Sequence, residues 1–365
     1  MGRRLAAAVS GLVLIAAGAR VPHAQQQDEW CDFTTAERVV AIGDVHGAHA
    51  GFVAILRKAG LINNRDRWSG GRAVLIQTGD VLDRGDDSRK AIDLLRRLER
   101  DARSAGGQVM ALAGNHEVMR LAGDWRYVSP GELDAFRDGE SNARRDSVHE
   151  QLSAERVERA RAERRTFDPA TFREEFMREI PLGLIEMRQA LAPGGQYGDW
   201  LRVRRAVVKV NGVLFLHGGV SDQVASLGCP AINQTVGKEI KSLPVPPEQV
   251  PSLLSLSEHG PLWYRGLATE PEETFAPMLE SILRRMDARA VVVGHTPAIG
   301  RITPRFGGRV MQIDAGMLAG KFFPGGVPAA LEMQKEAFTA VYLDRREPLG
   351  PVPAKLPPAP ERPAS

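Results

Sequence analysis

The sequence predicts an α/β fold with a charged helical insertion, and three observations predict it. Short apolar runs of strand length alternate with amphipathic stretches of helical period. Five of those runs end in glycine together with a carboxylate, an amide or an imidazole. Ligand-bearing loops at the ends of strands are how α/β sheets build sites. Between the third and fourth of these runs, residues 125–178 carry many Arg and Glu and few large apolar side chains. That is the composition of solvated helices beside a core.

The chain of 365 residues suffices for one large domain or two small ones, and 43% hydrophobic with 25% charged residues is ordinary for a soluble globular protein. The start differs. Arg3 and Arg4 precede an apolar run, residues 5–17, that is short for a membrane span, and a polar segment begins at Gln25. This is the layout of a secretory signal over residues 1–24. Cleavage after Ala24 would leave a periplasmic or secreted protein with no stable membrane span. An uncleaved anchor is the alternative, and the paired Arg would also suit the twin-arginine route. Residues 1–24 hold Arg3, Arg4 and Arg20 and no acid, so the formal charge goes from +3 to 0 (3 − 3) on cleavage. The pI of 9.0 is therefore no argument for nucleic acid, and no nucleic-acid partner is expected. An oxidising compartment permits the two cysteines, Cys31 and Cys229, to pair, and the sequence leaves that open. Two lone cysteines do not make a zinc site.

In chain order, residues 37–42 read as a strand running into Gly43-Asp44-Val45-His46-Gly47. With that turn extended, Asp44 and His46 point the same way and reach one ion. Residues 52–59 are helical. Residues 72–77 form a second strand, followed by Gly79-Asp80-Val81-Leu82-Asp83-Arg84-Gly85. Residues 88–103 form an amphipathic helix with Ile92, Leu95 and Leu98 on one side. Residues 108–113 make a third strand, ending in Gly114-Asn115-His116-Glu117. The insertion, about 125–180, contains a mixed-charge helix over 148–165 and is either a lid or an exposed excursion.

Residues 201–210 and 213–216 read as a hairpin turned at Asn211-Gly212 and ending in His217-Gly218-Gly219. Residues 221–257 read as loop. Gly260-Pro261-Leu262-Trp263-Tyr264-Arg265-Gly266 is a compact segment of aromatics and Arg. A helix over 275–286 leads to a strand over 288–293, ending in Gly294-His295-Thr296-Pro297. Another strand, 309–313, ends in Asp314-Ala315-Gly316. The Pro-rich tail, 348–365, reads as disordered.

The strand-end residues Asp44, His46, Asp80, Asn115, His217 and His295 mix carboxylates, imidazoles and an amide oxygen. That set suits Mn, Fe or Zn better than Ca or Mg. Six ligands exceed one tetrahedral zinc with an open position and match two divalent ions sharing a carboxylate. His116 adjoins a ligand and so lies near the reacting centre without being a ligand itself. Asp83, three residues past Asp80, can hold its proton. Arg84 offers the planar fork that a pair of phosphoryl oxygens prefers. Glu117 reads as a supporting partner or helix-start residue, not a catalyst. His23, His49, His149 and His259 follow no such turn and read as ordinary.

The motifs around Asp44, Asp80, Asn115 and His217 resemble the signature series of the phosphoprotein phosphatases, which are calcineurin-like metallophosphoesterases. Gly114-Asn115-His116-Glu117-Val118-Met119 and Leu262-Trp263-Tyr264-Arg265-Gly266 resemble the bacterial branch called Shewanella-like phosphatases. The resemblance spans residues 37–342. It implies a β-sandwich flanked by helices. It implies a first metal on Asp44, His46 and Asp80, and a second on Asp80, Asn115, His217 and His295, with Asp80 bridging. His116 would be the general acid, oriented by Asp83. Arg84, helped by Asn115, would bind the phosphate, with Arg265 as a second phosphate-binding Arg. The implied activity is a phosphomonoesterase in which a hydroxide between two metals attacks phosphoprotein (Tyr or Ser/Thr) or a small phosphoester.

The alternative is a related hydrolase of diadenosine tetraphosphate or similar nucleotides. That family usually has Asn in place of Asp83 and His-Ala-Gly in place of His217-Gly218-Gly219. A catalytically dead binding module would have lost a ligand, the acid or Arg84, and none is lost. Departures from the eukaryotic pattern are Ala113 in place of Arg and 102 residues (217 − 115) between Asn115 and His217. The loop that eukaryotic members use to bind inhibitors is also missing. These bear on substrate choice and regulation, not on the chemistry.

Overall fold

Two six-stranded sheets face each other in the computed structural model, which describes residues 31–357. The expected signal segment and residues 358–365 of the tail lie outside the described residues. One sheet is built from β1 (Asp32–Phe33), β5 (Val207–Val210), β6 (Val213–Leu216), β7 (Ala290–Val293), β8 (Thr303–Arg305) and β9 (Val310–Gln312), in the order β1-β5-β6-β7-β9-β8. The other holds β2 (Val39–Ile42), β3 (Val74–Gln77), β4 (Gln108–Ala111), β10 (Ala329–Gln334), β11 (Ala337–Tyr342) and β12 (Arg346–Pro351), in the order β12-β11-β10-β2-β3-β4.

Strands β2, β6 and β7 are apolar throughout because both of their faces are covered. Val39, Ala41, Val74 and Ile76 meet Val208, Val210, Phe215 and Val292 between the sheets. Their neighbours Val40, Ile42 and Leu75 turn outward against helices. Strands β2, β3 and β4 are parallel and joined by α1 (His49–Lys58) and α2 (Ser88–Ser104). Ile92, Leu95 and Leu98 of α2 are buried, as its period predicts. No helix among the described residues is long and apolar enough to cross a membrane.

The parallel strands β2, β3 and β4, and likewise β6, β7 and β9, bring the motif turns to one edge of the sandwich. Close approach of these turns demands glycine. A Cβ on Gly79 would come within 2.5 Å of Gly114 N, and one on Gly114 within 2.3 Å of Asp80 N.

Three local expectations are corrected. Leu201 belongs to a helix, α8 (Gln196–Leu201), not to a strand, and β5 starts at Val207. Tyr197 and Leu201, four apart, are buried on one helix face, and the Tyr197 hydroxyl donates to Asp93 at 3.0 Å. Residues 221–257 are not loop throughout. They contain α9 (Asp222–Ala225) and α10 (Gly228–Ser242). Cys229, Ile232, Val236 and Ile240 bury the apolar face of α10, a period masked by Pro230 and Gly237. The chain past Glu347 is ordered further than expected, since β12 pairs with β11 through Pro351 and Val352 is buried. A sheet edge is where a strand containing Pro348 and Pro351 can sit.

The insertion holds α4 (Pro130–Asp134), α5 (Ser141–Ala162) and α6 (Pro169–Glu179), followed by α7 (Leu184–Leu191). Cys31 and Cys229 form a disulfide, fastening the chain beside β1 to α10.

Candidate active site and metal centre

The turns that carry the site are wound tightly. His46, Asp80, Asp83, Arg84 and His295 all have left-handed φ, between 46° and 72°. This corrects the extended turn expected at His46. Each such residue costs on the order of 1 kcal/mol or more, so the surroundings must hold it. His46 N and Val45 N both donate to Asp80 O at 2.9 Å, and Arg84 N donates to Tyr127 O at 2.8 Å. Glu117 is the central clamp. It opens α3 (Asn115–Leu121) at the third helical position and accepts from Gly114 N and Asp80 N at 2.8 Å, Val81 N at 2.8 Å and Leu82 N at 3.2 Å. One carboxylate thus ties the β3 turn to the β4 turn, the supporting role its position predicts.

The six expected ligands converge. His46 Nε2 lies 3.5 Å from Asp80 Oδ2 and 3.8 Å from Asp44 Oδ2. His217 Nε2 lies 3.3 Å from Asp80 Oδ1 and 2.8 Å from Asn115 Oδ1. Two metal-sized groups result, His46/Asp80/His116 and Asp80/His217/His295, and Asp80 belongs to both. His116 therefore stands within reach of a metal position, although the sequence marks it as a non-ligand. Its Nδ1 is 2.6 Å from Asp83 Oδ2, and its Nε2 is 3.8 Å from Asp80 Oδ2.

The donor set fits divalent cations. His46 Nδ1–H donates to Leu82 O at 2.9 Å and His217 Nδ1–H to Thr78 O at 3.0 Å, leaving both Nε2 lone pairs facing inward. His295 Nε2 and Asp314 Oδ2 are buried with no hydrogen-bond partner. Burial holds His46 neutral, with its pKa lowered to about 3, and likewise His295, to about 2. Burial raises Asp44 well above the usual carboxylate range, with Asp314 and Asp80 adding like charge, and pushes Asp314 up to about 6. Burial also opposes ionisation of Asp80, but His217 and His116 outweigh it and hold its pKa low. The neutral imidazoles of His46 and His295, beside three crowded carboxylates, are the environment a cation resolves.

A cavity of about 200 Å³ opens over this cluster, lined by Asp80, Arg84, Asn115, His116 and Arg265. Arg84 Nη1 reaches His46 Nε2, and its guanidinium lies 5.7 Å from the Tyr127 ring and 5.5 Å from the Phe323 ring. Arg265 donates to His295 O at 2.9 Å and Thr296 Oγ1 at 3.0 Å, so both arginines face one space. Burial alone would lower the His116 pKa, but Asp80 and Asp83 raise it on balance. A larger cleft, about 540 Å³, opens beside β4 and Val203 and contains none of these residues.

Sequence reasoning missed Asp314, Arg120, Tyr127 and Phe323 as parts of the site. Asp314 had a legible signal, since it follows β9 as the expected ligands follow their strands. Arg120, Tyr127 and Phe323 had none, because they arrive from a helix interior and two loops.

Residues 37–298 match the family model described as calcineurin-like phosphoesterase. An uncharacterised protein of Schizosaccharomyces pombe is 31% identical over 287 residues, 76% of this chain and 73% of that protein. Shewanella-like protein phosphatase 2 of Arabidopsis thaliana is 28% identical over 330 residues, 87% of this chain and 80% of that protein. Among solved structures, the cold-active protein-tyrosine phosphatase of a psychrophilic Shewanella species superposes with a TM-score of 0.65. It is 25% identical, and the match covers 87% of this chain and 82% of that one.

Proposed function

This chain belongs to the calcineurin-like phosphoesterase family and is a metal-dependent phosphoesterase, and from that premise we propose a dinuclear phosphomonoesterase that acts on phosphoproteins. The observation that carries the proposal is the pairing of His116 with Asp83 beside the shared carboxylate Asp80, under two arginines. A leaving group that needs a proton, and a phosphoryl group that needs two planar donors, are both served there.

In this reading Asp44, His46 and Asp80 hold one cation, and Asp80, Asn115, His217 and His295 hold the other. When bound, such cations supply Lewis acidity toward phosphoryl oxygens and lower the pKa of water. Mn, Fe or Zn suits the mixed oxygen and nitrogen donors. Arg84 and Arg265, with Asn115, orient the phosphoryl oxygens. As a water-derived oxygen bonds to phosphorus and the P–O ester bond breaks, His116 Nε2 gives its proton to the departing oxygen while Asp83 holds the proton on Nδ1.

Phosphotyrosine is the proposed preferred substrate. The Shewanella neighbour is titled a protein-tyrosine phosphatase, and Tyr127 and Phe323 give this cavity aromatic walls. The proposed location is periplasmic or secreted. The Cys31–Cys229 disulfide, with both cysteines buried, suits an oxidising compartment. The test is phosphate release by metal-reconstituted protein from phosphotyrosine peptide, phosphoserine peptide and diadenosine tetraphosphate, with and without chelator. Chelator-sensitive release from a phosphopeptide is expected. Cleavage of the dinucleotide alone would overturn the proposal.

A further inference from the structure

The charged insertion reaches into the proton-donating apparatus. Helix α3 is seven residues long and wholly buried, and His116 and Arg120, four apart, project from one face of it toward Asp83. The Asp83 carboxylate is held at both oxygens. Oδ2 meets His116 Nδ1 at 2.6 Å, and Oδ1 accepts from Arg120 Nη2. Arg120 is the largest fully buried side chain among the described residues. A guanidinium there needs compensating charge, and one carboxylate is shared with an imidazole. The second comes from Glu132 in α4, 3.4 Å from Arg120 Nη2 and itself buried.

Glu132 is fixed in turn. Its N–H is capped by Ser129 Oγ at 3.0 Å, and that hydroxyl donates to Gly85 O at 3.2 Å. With Arg84 N bonded to Tyr127 O, the segment 127–132 is fastened to the Asp83-Arg84-Gly85 turn by two direct hydrogen bonds, and Glu132 reaches Asp83 through Arg120. This part of the insertion is not a lid hinged over the site. It is part of the wall behind it.

We propose that Glu132, acting through Arg120, is a positioning residue for His116: the pair locks the Asp83 carboxylate so that its free oxygen aims the imidazole at the leaving group. Asp83 has a left-handed backbone, φ 72°, so its side chain leaves a turn that other bonds must hold. With Oδ1 fixed by Arg120, Oδ2 has one orientation toward Nδ1, and Nε2 is directed into the cavity. The inference rests on the phosphomonoesterase reading in assigning His116 as the acid.

The test uses the full metal-loaded chain with Glu132→Gln and Arg120→Met. Two substrates are compared, phenyl phosphate, whose leaving group needs a proton, and 2,4-dinitrophenyl phosphate, whose leaving group does not. General acids contribute roughly 10²–10⁴-fold, so misaiming one should lower kcat on phenyl phosphate by about 10-fold or more. On the dinitrophenyl ester the loss should stay under about 3-fold, with KM and metal content unchanged. The low-field proton NMR signal of the His116–Asp83 hydrogen bond should shift or broaden in both variants.

Equal losses on the two esters, no loss on either, or an unmoved low-field signal would overturn the inference. Where Arg120→Met does not fold, the isosteric Glu132→Gln carries the test, with Glu132→Asp as the partial rescue. Wild-type protein inactive on both esters would count against the hydrolase reading alone. The NMR response to Glu132→Gln would still decide the positioning role.

Discussion

His217 Nε2 and Asn115 Oδ1 stand 2.8 Å apart, close enough that either a proton on Nε2 or a cation must lie against the two atoms. The Nδ1–H of His217 is committed to Thr78 O, and the amide nitrogen of Asn115 faces Met119 Sδ at 3.6 Å. Two acceptors at that distance repel unless something positive lies against them. A cation satisfies both, and binding to the folded chain alone stabilises it by mass action. Free metal at 100 times its Kd adds about 2.7 kcal/mol. Chelation should therefore lower the thermal midpoint, and added Mn or Zn should restore it in a concentration-dependent way. Identical midpoints with and without chelator would remove the metal from this reading.

Two substitutions separate ligand from acid. Asp80 belongs to both ligand groups, so Asp80→Ala should abolish metal loading and turnover together. His116 lies in one of those groups by distance, yet its Nδ1 is spent on Asp83. His116→Ala should keep both metals by elemental analysis and lose about 10²-fold or more on substrates with poor leaving groups. Release of a metal from His116→Ala would make it a ligand and leave the acid unassigned.

Metal affinity should depend on pH in one direction. His46 and His295 are already neutral well above their lowered pKa values of about 3 and about 2, so they present lone pairs without losing a proton. Asp314, raised to about 6 by burial, and Asp44, raised by burial and by its neighbours, take up protons as pH falls. Metal must displace those protons, so affinity should fall as pH drops through 6, by about tenfold per pH unit for each proton released. For the metal-free fold the sign is opposite. A carboxyl raised to about 6 from its ordinary 3.8 contributes stability at low pH that is lost as pH rises through 6. Calorimetric titrations in buffers of different ionisation enthalpy would count the protons. Asp314→Asn should remove one of them, and affinity that stays flat from pH 5 to 7 would contradict the scheme.

How much of this was legible in the sequence follows from which contacts are local. The expected ligands Asp44, Asp80 and His295 sit at the ends of apolar runs, so the residue pattern exposes them directly. The left-handed conformations at His46 and Asp83 are not visible, because neither is glycine and tertiary hydrogen bonds enforce them. Helix α10 was hidden because Pro230 and Gly237 interrupt a period that burial of Ile232 and Val236 restores. Nothing in the residue pattern marks Arg120, and only the fold brings Glu132 to it.

Glu117 offers a test of that tertiary enforcement. Its two oxygens accept from four backbone N–H groups, two each. In Glu117→Gln one oxygen becomes an NH₂ that faces donors, and the other loses its charge. Charged hydrogen bonds contribute about 1.5–3 kcal/mol, so a loss of about 2–4 kcal/mol in denaturant unfolding is expected. A change within about 0.5 kcal/mol would show that the clamp adds nothing.

Substrate preference turns on Phe323 and Tyr127, which flank the Arg84 guanidinium at 5.5 and 5.7 Å. They have two possible duties, and a substitution distinguishes them. As walls of the cavity they stack on the phenyl ring of phosphotyrosine and find nothing comparable on phosphoserine. Aromatic pairs add about 0.5–1.5 kcal/mol beyond area burial, so Phe323→Ala should lower kcat/KM for a phosphotyrosine peptide by about 10-fold. The same change should cost a phosphoserine peptide of matched sequence less than about 3-fold. As braces for Arg84 alone, the rings would serve every phosphoryl group alike, and both peptides would lose equally. Equal losses would therefore assign the aromatic pair to phosphate binding and withdraw the argument that this cavity selects tyrosine.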